Sequence, residues 1–99
     1  MKVVFTKSAS ERLRKIHSYY KHRVNQRTAN KIITQILKSA KSLHSNPGKG
    51  SIEEILEPLG QGHRKIIEGN YKIIYRVVTS AVVITDIFDI RRNPGKMKP

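Results

Sequence analysis

Arg64, Lys65, Lys72, Arg76, Arg91 and Arg92 place six cations in one stretch that opens on His63. Cations grouped in this way have two uses toward a nucleic acid. They can bind phosphates without regard to sequence. They can also cut RNA, if one has a depressed pKa and serves as base while others stabilise a pentavalent phosphorane. His63 is a candidate proton carrier, the role histidine most often takes in proton transfer. The plainer alternative is that these residues solvate the open face of a sheet, because charged side chains are usually exposed.

Other chemistries find no support in the spacing. His17 and His22 are five apart and fall on different faces of a helix, whereas the usual helical metal pair is four apart. Neither His44 nor His63 repairs that, so no metal is expected. There is no Ser-centred elbow, no paired-carboxylate site and no Gly-rich phosphate loop leading into a helix. Gly48-Lys49-Gly50 lacks the strand and helix that would flank such a loop and reads as a connector. No cofactor is expected.

The cations must be positioned by strands. Arg64–Glu68, Tyr71–Val78 and Ala81–Ile90 are rich in Ile, Val, Tyr and Phe. Gly69-Asn70 separates the first two and tolerates the backbone of a two-residue hairpin; Thr79-Ser80 separates the others. Two tight connections in succession predict an antiparallel meander. Alternation sends Tyr71, Ile73, Tyr75 and Val77 to a buried face. Lys72, Ile74, Arg76 and Val78 go to the other, a candidate binding surface on which Arg64 and Lys72 are expected as neighbours.

Upstream, Lys2–Thr6 is a short strand. Ser8 or Ser10 can cap a helix with Glu11 in its first turn, where the dipole favours an anion. Ala9, Leu13, Ile16, Tyr20 and Val24 form one apolar stripe of that helix. Asn25 or Thr28 can cap a second, in which Ala29, Ile32, Ile33, Ile36, Leu37, Ala40 and Leu43 keep the helical period until Asn46-Pro47-Gly48 ends it. The two make a hairpin that must lie on the apolar sheet face. Lys49–Gly62 is loop-like, with Ile52, Ile55, Leu56 and Leu59 forming either a helical turn or an extended edge. Glu53, Glu54 and Glu57 are expected on its solvent side. The fold predicted is α+β, in the order βααβββ, with a helical hairpin packed on a twisted, mainly antiparallel four-stranded sheet. Residues 1–94 form the domain and 95–99 a flexible tail.

Ninety-nine residues suffice for one core. The absence of cysteine excludes disulfides, thiolate metal sites and a Cys nucleophile. No apolar run is long enough to cross a bilayer, and Met1-Lys2 leads straight into a strand, so a cytoplasmic chain is expected. Twenty Lys and Arg against seven Asp and Glu give a net charge of +13, which favours a polyanion or an acidic protein as partner. No acidic residue falls between Glu11 and Glu53.

From Lys2 to Pro94 the chain resembles the RelE/ParE superfamily, the toxins of bacterial type II toxin–antitoxin (plasmid stabilization) modules. The resemblance is carried by His63-Arg64, by Gly69-Asn70-Tyr71-Lys72-Ile73-Ile74-Tyr75-Arg76 and by Asp89-Ile90-Arg91-Arg92. It implies the βααβββ fold and a toxin held inactive, in a hetero-oligomer, by a cognate acidic antitoxin. Two targets follow from the two branches. A RelE-like protein would cut mRNA on the translating ribosome, with Arg64, Lys72 and Arg91 as catalytic residues. That branch also uses a Tyr near the C-terminus, and none follows Arg92 here. A ParE-like protein would poison DNA gyrase without being an enzyme, and the missing Tyr and long helical hairpin lean that way. High basicity leans toward RNA. In either branch His63, Lys65, Arg76 and Arg92 would contact target or antitoxin. A third alternative is a degenerate toxin that only binds.

Overall fold

A computed structural model describes all 99 residues. Strand β1 (Lys2–Phe5) runs into helix α1 (Lys7–Arg23), followed by α2 (Gln26–Lys41) and a 3-10 turn at Ser42–His44. Strand β2 (Ser51–Ile52) and a 3-10 segment at Glu54–Leu59 precede β3 (Arg64–Glu68), β4 (Tyr71–Val78) and β5 (Ala81–Asp89). A last 3-10 turn spans Pro94–Lys96. The sheet order is β1-β5-β4-β3-β2, with β1 parallel to β5 and the other pairs antiparallel.

The predicted helices form, but α1 starts earlier than its serines suggest. Thr6, not Ser8 or Ser10, caps it, with Oγ1 accepting from the Ala9 N–H at 3.1 Å. The Thr6 N–H also donates to the Ile84 carbonyl at 3.0 Å, so the chain turns directly from the sheet into the helix. Glu11 consequently lies beyond the first turn. Asn25 caps α2, accepting from the Thr28 N–H at 2.8 Å. Val24, expected on the apolar stripe, is the C-cap of α1 and is exposed.

The hairpin lies on the expected face. Ala9, Ile16, Ile36, Ala40 and Leu43 pack with Ile66, Tyr71, Ile73, Tyr75, Val82, Ile84 and Ile87 in one core. Val77 is exposed instead, because β3 ends opposite Tyr75 and leaves it a neighbour on one side only. Ile84 and Ile87 both reach the core despite odd spacing. The register passes from Ile74↔Asp86 to Tyr75↔Ile84, so Thr85 is an unmatched bulge residue that resets the alternation.

Two expectations are corrected on the opposite face. The sheet has five strands, not four, because Lys49–Gly62 supplies both alternatives, the edge strand β2 and a helical turn. Residues 95–99 pack across that face rather than fray. Met97 joins Leu56, Ile74 and Phe88 in a second small core, and the Lys98 N–H donates to Asp86 Oδ2 at 3.0 Å. The Lys98 carbonyl accepts from Thr85 Oγ1 at 3.2 Å. The face expected to be open is therefore covered by Glu54–Leu59 and the tail.

Candidate functional site

Pairing across the sheet decides where each cation goes. Arg64 pairs with Tyr75 and so shares the helix-side face with Ile66 and Ile73. Its guanidinium grips the loop before β2, donating from Nε (2.9 Å) and Nη2 (2.5 Å) to the Gly50 carbonyl. Lys72 and Lys65 leave by the opposite face and converge on Glu53, at 2.9 Å from Oε1 and 3.7 Å from Oε2. Arg64 and Lys72, expected as neighbours, stand on different faces.

Glu53 was expected in solvent with Glu54 and Glu57; those two are exposed, but Glu53 is buried. Burial alone would push its carboxyl up. The Lys72 hydrogen bond, the Ile55 N–H and the charges of Lys72 and Lys65 outweigh that and hold it below the usual carboxylate range.

His63 is buried too, with Nε2 3.3 Å from a Pro99 oxygen. Continuing the β3–β4 register by one step sets it opposite Arg76. His63 Nδ1 and Arg76 Nε are both buried without a partner. No group of three His, Asp or Glu side chains gathers that could hold a metal ion.

Arg91 lies at the far end of β5. It makes a bidentate pair with Asp89, from Nε at 2.9 Å and Nη2 at 2.8 Å, and its N–H also donates to Oδ1 at 2.9 Å. The Arg91 hydrogen bond, against a smaller burial effect, keeps the Asp89 carboxyl below its ordinary range. Asp89 in return raises the Arg91 guanidinium, with a smaller contribution from Tyr20. Tyr71 pairs with Asp89 and donates from its hydroxyl to that of Tyr20 at 3.4 Å. Burial, then that bond, pushes the Tyr71 phenol well above its usual value, so it stays protonated. No tyrosine follows Arg92 in the chain, but α1 and β4 bring two to the side of Arg91.

Tyr71, Asp89 and Arg91 border a groove of about 340 Å³. Arg12, Lys15, Arg91, Arg92 and Lys96 line it against one carboxylate, Asp89, with Ile16, Tyr19, Tyr71, Ile87 and Phe88 as its apolar part. Arg12 is fixed there by the fully buried Asp86, 3.2 Å away. The groove follows an open edge, because β1 pairs only with Ala81–Ile84 and leaves Thr85–Asp89 with β4 alone. Of the six cations first singled out, only Arg91 and Arg92 belong to it. Arg12, Lys15 and Tyr19 come from a helix whose sequence shows only an amphipathic pattern. Tyr71 reaches the groove only through the bulge at Thr85, which sets it opposite Asp89.

A helical hairpin laid on one face of a sheet whose first and last strands are parallel neighbours defines the fold of the RelE/ParE toxins. A solved structure titled "Chromosomal ParDE TA system from P. aeruginosa" superposes with a TM-score of 0.77, covering 90% of this chain and 95% of that one at 24% identity. No match was found among curated proteins. The sequence model described as "ParE toxin of type II toxin-antitoxin system, parDE" matches residues 3–94. The chain belongs to the ParE toxin family and is the toxin component of a type II toxin–antitoxin module, with an antitoxin as partner. No helix is long and apolar enough to cross a membrane.

Proposed function

We propose that this protein arrests growth as a ParE-type poison of DNA gyrase, acting by binding and not by cutting RNA, and that its antitoxin seats an acidic segment in the groove beside β5. The separation of the candidate catalytic cations carries the first part. Arg64 is spent on the Gly50 carbonyl, Lys72 on Glu53 and Arg91 on Asp89, each in a different place. Phosphoryl chemistry requires donors converging on one developing charge, and these do not converge. Five cations facing one carboxylate along an unpaired strand edge support the second part, since an acidic extended segment could add to β5 while its side chains meet the cations. His63, Lys65 and Arg76 take no part in that seat; Arg92 does.

A second reading has one observation in its favour. Tyr20 and Tyr71 beside Arg91 supply the aromatic hydroxyl that a ribosome-dependent mRNA endonuclease would want near its arginine. Gyrase supercoiling and ribosome-programmed mRNA cleavage with the purified chain decide between the two. Inhibited supercoiling with intact transcripts is expected; cut transcripts with unimpaired supercoiling would reverse the assignment. Loss of both activities, with unaffected growth on induction, would leave a degenerate toxin that only binds.

A further inference from the structure

The outer face of the α1–α2 hairpin is not used by the groove or the core. Lys7, Arg14 and Lys21 repeat every seven residues along α1, and Arg27, Lys31, Lys38 and Lys41 follow one side of α2. All seven are exposed, and they lie opposite the stripes of Ala9 and Ile16 and of Ala29 and Ile36 that face the sheet. The Asn30 Oδ1 and His17 Nε2 lie 2.7 Å apart and tie the two helices together, holding the rows side by side. The rows are also uncompensated. Glu11 is the only carboxylate on either helix, and among the four ion pairs of the protein the hairpin contributes only Arg12.

We propose that this face binds the phosphate backbone of duplex DNA. Each row is about 21 Å long at the helical rise of 1.5 Å per residue, which covers roughly six base pairs. Packed helix axes lie about 8–10 Å apart. That spacing is close to the major-groove width of B-DNA, about 12 Å, so the two rows can meet phosphates on its two walls. The deep, narrow major groove of an A-form RNA helix does not offer that match. Single strands are a poorer fit for another reason. Binding them relies on aromatic side chains that stack on bases, and the outer rows have none. Tyr20 packs against the core and Tyr19 lines the groove. Exposed Ser8, Ser18, Asn30 and Thr34 lie among the cations and add neutral donors for phosphate oxygens.

The test is fluorescence anisotropy of the purified full chain with a mixed-sequence 20-base-pair duplex at several salt concentrations. Seven phosphate contacts would give a slope of log affinity on log salt near about −6, so affinity falls about 10³–10⁴-fold between 50 and 200 mM salt. The Lys31→Gln/Lys38→Gln/Lys41→Gln variant should lose about 2.7 from that slope, leaving a fall of about 10²-fold over the same interval. A control variant, Lys2→Gln/Lys49→Gln/Lys98→Gln, removes the same net charge away from the hairpin and should change the slope by less than about one. Glutamine is a good helix former, so the hairpin should survive, and far-ultraviolet circular dichroism checks that it does. Equal losses of slope in the two variants would reduce the binding to net charge and overturn the proposal. Tighter binding of a duplex RNA or a single strand of the same length would overturn it as well. Neither gyrase, ribosome nor antitoxin is in the assay, so its outcome is separate from the identity of the target.

Discussion

Lys72 Nζ lies 2.9 Å from Oε1 of Glu53, a carboxylate that is 1% exposed. This pair ties the segment before β3 to the outer face of β4, and its removal is a direct test of what holds Glu54–Leu59 in place. Lys72→Met leaves Glu53 buried with only Lys65, 3.7 Å away. We expect a loss of about 2–3 kcal/mol, below the 3–5 kcal/mol of a fully buried pair because Lys65 remains. Chemical denaturation measures it. A loss under about 0.5 kcal/mol would place the pair among surface salt bridges.

The same carboxylate gives a pH dependence. Its folded pKa lies below the ordinary 4.5, so the unfolded chain takes up a proton first as pH falls. The stability it contributes is complete above the unfolded value and is lost as pH drops through the folded one. Unfolding free energy should therefore decline as pH falls from the unfolded value through the lower folded one. In Glu53→Gln that share of the decline should be missing. Parallel acid titrations of the two proteins would refute the assignment.

Gly50 is fixed by close approach. A Cβ there would stand 2.4 Å from the Lys65 carbonyl oxygen and 2.6 Å from the Tyr75 hydroxyl. That hydroxyl accepts from the Gly50 N–H at 2.9 Å and donates to the Pro47 carbonyl at 2.8 Å. Gly50→Ala should cost about 1–3 kcal/mol by overpacking. Tyr75→Phe should cost a similar amount, about 1–3 kcal/mol, by stranding two backbone groups. Thermal unfolding of both checks this, and a Tm within a degree of the parent for Gly50→Ala would mean the loop moves freely.

Much of this is legible in the sequence, and what is not has physical causes. Period located both helices, the Asn25 cap the start of the second, and Gly69-Asn70, with Gly69 at φ +58°, the hairpin. That two-residue turn already made Glu68 face Tyr71 and hence Arg64 face Tyr75, opposite in direction to Lys72. The separation of Arg64 from Lys72 was therefore available, and nearness along the chain had obscured it. Thr85 was different. Counting from the Thr79-Ser80 turn puts Tyr71 opposite Phe88, and only the bulge moves it to Asp89, beside Arg91. Nothing in a run of Val, Ile and Thr announces a bulge. Glu53 and Met97 were misplaced because their burial depends on covering the far face of the sheet, a tertiary event with no local period.

The core is the simplest prediction. Ile36 on α2 and Ile73 on β4 are 1% and 0% exposed and share the main core. Truncating either to Ala should cost about 2–5 kcal/mol, transfer and cavity terms together. Denaturant midpoints at unchanged m-value check this. A loss below about 1 kcal/mol at both sites would mean the hairpin is not packed as described.

The groove predicts how the antitoxin binds. Lys15 from α1 and Arg92 after β5 line it, both exposed and neither in an ion pair. Charges at such a rim steer encounter more than they hold the complex, so their loss acts on association. We expect Lys15→Glu/Arg92→Glu to slow antitoxin association by about 10–100-fold at low salt, with a smaller change in dissociation. The deficit should shrink as salt is raised, because screening weakens the attraction in the parent and the repulsion in the variant alike. Surface plasmon resonance with immobilised antitoxin reads both rates. Stability should change by no more than about 0.5 kcal/mol, since neither side chain is buried or paired. If association were unaffected while dissociation rose, the two residues would be direct contacts and not steering charges. If neither rate moved, the acidic segment would sit elsewhere and the open edge of β5 would lose its proposed occupant.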